Sequence, residues 1–478
     1  MIRLLAGILL CCALSAYPQA AMGEQPRTGS QQTESPRRLS AAAAVDMAIK
    51  NNLNLETARL GLDIKKRKSD TVWNQFLPTV GITGTLARTN KASSASGTIP
   101  SYPLNLHDGT IPPNIYGVTP YSVTLPQWNV SGAFSATFDF SFALFEGMRS
   151  VKLDYEAGLI SMEKAKLQME QGVRKMYNSI LLLEANTALL GESYNNTQRQ
   201  AAIAEANYKA GLAPRLTWLQ AQVAVENIKP AVNDLENTLN NLKGNFALLL
   251  GLSFDTPFEL EPVSTESLSI PLDVANLISR AASGKPDIKE LQANIMTLHS
   301  QRKALATQQY TPFLRLGWSL NPTFIKDPFQ DTWFNSDNWM ERGNFYLTLG
   351  MSFNAFFPFT KEGQQRKDME ASIQIQNIRL AQAIRETELE IFTKINSLEK
   401  IRTTKEAQQA TTDLAEQSYR LTEEAYRAGL QDFQAVQNAA LALDQAKLQL
   451  LREQFNYLND LIDLEYSIGV PFGTLSSK

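Results

Sequence analysis

Cysteine is nearly absent: the 478-residue chain has two, Cys11 and Cys12, adjacent at the N-terminus, which excludes a disulfide framework and a Cys-based metal site for its body. Histidine is as scarce, since His107 and His299 are the only two, and no HExxH, P-loop or dinucleotide fingerprint occurs. Neither sign of charge dominates, with 45 Lys and Arg against 48 Asp and Glu. Without a long basic run, or aromatics interleaved with Lys/Arg clusters, nothing points to a nucleic-acid partner. Beyond the first residues no stretch supplies the roughly 20 continuous apolar residues of a membrane-spanning helix. No catalytic constellation emerges either: carboxylates such as Glu423 and Glu424 stand beside Lys and Arg as on a solvated helix face. The chain therefore reads as a non-enzyme without a cofactor. Its 44% hydrophobic and 19% charged content is that of a folded protein.

Residues 1–23 read as an export signal, with Arg3 ahead of an apolar core from Leu4 to Leu14 and cleavage between Ser15 and Gly23. Both cysteines fall inside it, so the mature chain would have none. A lipid-anchor cysteine is the competing reading, but Leu10 stands where a small residue is expected. Residues 24–38 are polar and expected to be disordered. An exported chain without a spanning helix is periplasmic, secreted, or inserted as a β-barrel.

Proline and glycine are missing where their absence tells most. From Gln364 to Ala428 there is neither, and an unbroken helix of that length would measure about 97 Å. Met148 to Ala210 also lacks proline and ends in nearly the same words: Tyr208-Lys209-Ala210-Gly211-Leu212 answers Tyr426-Arg427-Ala428-Gly429-Leu430. The chain is thus two copies of one unit, 39–252 and 272–470, joined by a connector over 253–271 and followed by a tail over 471–478. The opening helices match at an offset of 233, placing Ala48 on Ala281 and Leu55 on Ile288, and run toward Pro78 and Pro312, which stop them. Later the offset is 218, placing Tyr208 on Tyr426 and Gly251 on Gly469. An insertion must lie in the first copy, and Lys91 to Gln127, rich in Ser, Pro and Tyr, reads as an exposed loop. The long helix from Val173 to Tyr208 has coiled-coil spacing, with small seam residues toward Tyr208.

Beside each proline the period switches to two. Val130, Phe134, Ala136, Phe138, Phe140 and Phe142 alternate with Ser131, Ser135, Thr137, Asp139 and Ser141; Phe345, Leu347, Leu349 and Met351 alternate with Tyr346, Thr348, Gly350 and Ser352. Val80 to Leu86 and Leu314 to Leu320 do the same. A soluble sheet with one buried face would alternate likewise. Strand lengths of about ten residues and a Phe-rich apolar face opposite hydroxyls and amides favour lipid. That reading puts Phe138, Phe140, Leu347 and Leu349 against lipid. Four strands cannot close a barrel, so several chains must share one.

The order helix, Pro78, two strands, Phe145-Glu146-Gly147, long helix, Tyr208-x-x-Gly211, helix, Leu250-Gly251 recurs as Lys285-Pro286-Asp287, Pro312, two strands, Phe357-Pro358-Phe359, long helix, Tyr426-x-x-Gly429, Ile468-Gly469. From about Leu39 to Val470 the chain resembles the TolC-like outer-membrane efflux and secretion channels. The resemblance implies a mainly α fold with a membrane β-barrel portion: long α-helical hairpins forming a periplasmic tunnel, and four strands per protomer in a shared twelve-stranded barrel of a homotrimer. It implies an outer-membrane duct with a periplasmic extension, loaded by a periplasmic adaptor (membrane fusion) protein and an inner-membrane pump of RND or ABC type. Drugs, metals, glycolipids and proteins all leave through such ducts. A coiled-coil scaffold would not explain the Phe-rich strands, and a diffusion porin would not use such helices.

By the same resemblance the turns close the periplasmic entrance and meet the adaptor, which singles out Tyr208, Gly211, Leu212, Arg215, Tyr426, Gly429, Leu430 and Asp432. In the best-known members two aspartates ring the entrance just beyond the second turn. Here the matching positions are Ala435 and Asn438, and Gln431 replaces a tip arginine. Asp432 is nearby but on a different helical face, so the acidic ring that the resemblance implies does not carry over, and a hydrophobic or amide-lined gate around Phe433 and Val436 is the alternative.

Overall fold

The computed structural model describes residues 37–91, 94–101, 117–124, 126–263, 274–329 and 331–475. The export signal with both cysteines, residues 24–36, His107, residues 264–271 of the connector and the last three residues lie outside them.

The first copy runs β1 (Arg37–Leu39), α1 (Ala41–Asn51), α2 (Leu53–Asp70), β2 (Thr79–Arg88), β3 (Ser94–Ser101), β4 (Gly117–Thr124), β5 (Trp128–Ser141), α3 (Ala143–Lys209) and α4 (Arg215–Leu249). After β6 (Phe258–Leu260) the second runs α5 (Val274–Gly284), α6 (Pro286–Tyr310), β7 (Phe313–Phe324), β8 (Trp339–Gly350), α7 (Lys361–Arg427) and α8 (Phe433–Ile468). Helices α3 and α7 have 67 residues each, about 100 Å of continuous helix.

Two compact units divide the described chain. One holds Val72–Glu146 and Ala304–Gly363, with a four-stranded antiparallel sheet in the order β2-β5-β7-β8. The insertion expected as a loop contributes a separate antiparallel hairpin, β3 with β4. Its strands are short and built largely of Ser, Thr, Gly and Pro, a composition that reads as a loop.

The helical unit includes residues up to Thr71, Gly147–Lys303 and the chain from Gln364 onward. Two of its apolar cores occupy equivalent positions of the two copies. Ala44 and Ala48 of α1, Val173, Tyr177 and Ile180 of α3, and Phe246 and Leu250 at the end of α4 form the first. Leu277 and Ala281, then Ile391, Ile395 and Leu398, then Leu464 and Ile468 form the second at the offsets already read from the sequence. The Tyr177 hydroxyl lies 2.9 Å from Leu39 O and 2.6 Å from Glu261 O, fastening β1 and the strand end beyond β6 to this core.

The opening helices do not run unbroken to the prolines. Both break at equivalent residues, Asn52 and Lys285. Asn52 accepts hydrogen bonds from Asn54 N and Leu55 N as the N-cap of α2, and donates to Leu249 O at 2.9 Å. Lys285 instead precedes Pro286, which opens α6, and its ammonium donates to Glu390 at 2.6 Å and Thr387 at 3.2 Å. Each break lets α1 or α5 end against the C-terminus of the returning helix.

Those returning helices end on left-handed glycines, Gly251 (φ +73°) and Gly469 (φ +67°). A Cβ at Gly251 would come within 2.5 Å of Asn51 O, and one at Gly469 would overlap Gly284 O. Backbone meets backbone there, and only glycine allows it.

Candidate functional site: a two-faced sheet and paired helix turns

Register decides which strand residues share a face. Phe138 pairs with Leu316 and Leu316 with Leu347; Phe140 pairs with Leu314 and Leu314 with Leu349. Ile82, Phe134 and Leu320 form a further row, as do Ala136, Trp318 and Phe345 with Val80. All four strands thus contribute to one apolar face, and it is largely uncovered: Leu349 is 73% exposed, and Val80, Ile82, Phe345 and Leu347 are exposed as well.

On the opposite face Thr137 pairs with Gly317, and Asp139 with Arg315, which pairs in turn with Thr348. The Arg315 guanidinium donates to both Asp139 oxygens, at 2.5 and 3.3 Å, tying β5 to β7 on this polar side. Gly350 sits opposite Phe313 on the same side.

Aromatic clusters flank the sheet at both ends. At the helix-bearing end, Phe145 packs on Phe76 and Phe140, and Phe356 on Tyr310 and Phe353. At the other end Trp128 meets Phe329, and Phe324 meets Trp333 and Trp339. The ten paired residues of β2 and β5 span about 34 Å, or roughly 24 Å at a 45° tilt, close to the apolar band of an outer-membrane barrel.

Both long helices end in the same turn. Gly211 (φ +74°) and Gly429 (φ +76°) are left-handed, Gly N bonds to the Tyr208 or Tyr426 carbonyl at 3.0 Å, and Leu212 N and Leu430 N reach back five residues at 2.8 and 2.9 Å. This paired bonding satisfies the last carbonyls and reverses the chain. Leu212 and Leu430 project at the turns, 78% and 79% exposed, and Arg215 opens α4 in solvent.

Tyr208 stacks on Trp218 with ring centroids 5.3 Å apart, and Tyr426 packs edge-on against Phe433. Phe433 is buried among Ala204, Ala221 and Ala224, and Val436 is fully buried. In this chain neither side chain is open to an entrance: Phe433 of the second copy packs on alanines of the first, and Val436 is shielded from solvent. Asp432 accepts from Ala435 N at 2.8 Å as the N-cap of α8, so its carboxylate serves the helix terminus. Asn438 is exposed and accepts from Gln434 at 3.2 Å, while Ala435 is half-buried. Trp218 went unread as a tip residue; an aromatic one turn into α4 was the available signal.

The outer membrane efflux protein family model matches residues 44–252 and again 277–470, once for each structural copy. The chain belongs to the outer membrane efflux protein family. No curated protein sequence matches it. Among solved structures it is similar to CusC (17% identity, TM-score 0.68, covering 90% of this chain and 92% of that one), described in terms of transmembrane channel formation. It is similar also to the Campylobacter jejuni CmeC outer membrane channel (15%, 0.69, 90% and 85%) and to the Vibrio cholerae outer membrane protein VceC (16%, 0.68, 90% and 96%). These likenesses show a shared fold, with long helices and an antiparallel sheet.

In this efflux-family chain the two copies are joined by charged groups that the sequence did not mark out. Lys164 of α3 bridges Asp287 at 2.8 Å and Glu290 at 2.7 Å on α6, with the Ser161 and Tyr466 hydroxyls donating to the same carboxylates. Burial opposes charge in this cluster, yet the hydrogen bonds and charges across it win: Lys164 is held above the usual lysine range, and Asp287 and Glu290 below the usual carboxylate range. Farther along, Lys394 of α7 and Lys175 of α3 converge on Asp463 of α8, at 2.8 and 2.9 Å. Among the described residues no helix is long and apolar enough to cross a membrane, and no carboxylate, His and Cys group could hold a metal ion.

Proposed function

We propose that this protein is the outer-membrane exit duct of a tripartite efflux or type I secretion system, a passive conduit from an inner-membrane pump of RND or ABC type and a periplasmic adaptor to the exterior. Three copies each give β2, β5, β7 and β8 to one twelve-stranded barrel, and the long helices extend from it into the periplasm. The carrying observation is the open sheet: an apolar face continuous over four strands, opposite a polar face bearing Asp139 and Arg315. Among the described residues β2 and β8 are edges, each with one unpaired side. Such edges and so large an exposed apolar surface are stable only if neighbouring copies pair the edges and lipid covers the face.

Phe138, Phe140, Leu347 and Leu349 face lipid in this reading, and Thr137, Asp139, Thr348 and Gly350 face the lumen. Cysteines introduced singly at these eight positions should react with a membrane-impermeant thiol reagent only in the second set, measured against the parent protein. Equal labelling of both sets would sink the assignment.

The tips carry entry. Tyr208, Gly211, Leu212, Arg215, Tyr426, Gly429, Leu430 and Asp432 form the adaptor-facing end, and Ala435 and Asn438 line the constriction. Three copies then present no acidic pair at the narrowest point, so the unmodified channel in a planar bilayer should resist block by trivalent cations from the periplasmic side. Ala435→Asp combined with Asn438→Asp should create that block, since six carboxylates converge on one narrow site. Strong block of the unmodified channel would show a different carboxylate in the constriction.

A further inference from the structure

The connection between β7 and β8, residues 325–329 and 331–338, is folded and aromatic, and it lies against one particular face of the sheet. Phe324 pairs with Val130 and with Trp339, so both aromatics share the apolar face. Trp128, two residues before Val130 on β5, shares it too. Trp333 of the connection stacks on Phe324 at 5.7 Å and contacts Trp339 at 6.2 Å, and Phe329 meets Trp128 at 5.1 Å. The connection therefore bends over the rim onto the apolar side of the sheet.

Its own polar groups hold it in that shape. Trp333 Nε1 donates to Pro328 O at 2.5 Å, Trp339 Nε1 to Trp333 O at 2.7 Å, and buried Asn338 donates to Thr332 O at 3.0 Å. Asp327 accepts from Phe329 N, and Asn335 from Asp337 N. With the indole donors engaged internally, the connection's most exposed apolar side chains are Phe334, 81% exposed, and Phe329, 66% exposed, with Ile325 and Trp333 exposed as well. Two Phe rings on a structured connection that packs on the apolar strand residues, in a segment that also carries Lys326, Asp327, Asp331 and Asp337, match the boundary between acyl chains and head groups.

We propose that the β7–β8 connection is a lipid-anchoring apron: Phe329 and Phe334 insert among the acyl chains just beneath the head groups, at the barrel rim remote from the helices. The proposal rests on the bilayer assignment of the sheet. It commits the connection to the outside of the rim, leaving the mouth uncovered by it.

The test uses the full-length protein with an environment-sensitive fluorophore on a cysteine introduced as Phe334→Cys, reconstituted into phosphatidylcholine vesicles. Leu347→Cys on the apolar sheet face and Thr348→Cys on the polar face are references. The Phe334→Cys label should lose most of its emission to a phosphatidylcholine carrying a nitroxide near the head group and little to aqueous iodide. Quenching by iodide alone would overturn the proposal and leave the connection in water. Quenching by neither, with crosslinking between chains, would overturn it in favour of a second copy as the occupant. If Leu347→Cys is quenched by lipid while Phe334→Cys is not, the apron fails alone; if neither is, the bilayer assignment of the sheet fails with it.

Discussion

Replacing Gly251 or Gly469 by alanine should cost about 3 kcal/mol or more each, whereas the same change at Gly211 or Gly429 should cost about 1 kcal/mol. All four glycines are left-handed and end helices with the same paired hydrogen bonds, so helix-ending chemistry does not separate them. Surroundings do. A Cβ at Gly211 or Gly429 meets nothing within 4 Å, while at Gly251 it meets the backbone of Asn51 and at Gly469 that of Gly284. Backbone cannot rotate aside, so α1 must part from α4, or α5 from α8, and each parting opens an apolar core. Denaturant melts of the detergent-solubilised protein, with the yield of assembled particles in membranes, measure both. Four equal losses would mean that the close approaches do not govern stability.

Lys164→Met should cost about 2 to 3 kcal/mol near neutral pH, because it leaves Asp287 and Glu290 half-buried, side by side and without their shared cation. Both carboxyls are held below their usual range in the folded chain, so their contribution is complete above the unfolded value, near pH 4, and is lost as pH falls through the lower folded values. Without Lys164 the pair prefers its neutral form. The gap between parent and variant should therefore be widest near neutrality and narrow below about pH 4. Asp287→Asn with Glu290→Gln should recover part of the loss in the Lys164→Met background. Melts at both pH values decide the matter, and a gap that stays constant with pH would place the effect of Lys164 in its aliphatic stem.

Legibility followed the range of the interactions. Strand faces were readable because alternation is local, and the register then aligns Phe138 with Leu316 and Leu347 as one row. The turns at Gly211 and Gly429 were readable for the same reason. The break at Asn52 was not, since Asn51-Asn52-Leu53 contains neither Pro nor Gly and a hydrogen bond to Leu249 O, 197 residues away, fixes it. Its counterpart at Lys285 did carry a signal: the residue before Pro286 disfavours helix and proline favours the first helical position. Asp432 was likewise readable as a helix cap ahead of the apolar start of α8. Burial of Phe433 was not, because the alanines of α3 and α4 that enclose it belong to the other copy.

The central claim is that no single chain closes the barrel. Native mass spectrometry of the particle extracted from membranes in mild detergent tests it most directly, since four strands with two open edges require partners. The mass of three chains is the expected result. A folded single chain, stable in the membrane and giving the mass of one copy, would contradict the shared barrel and the duct built on it.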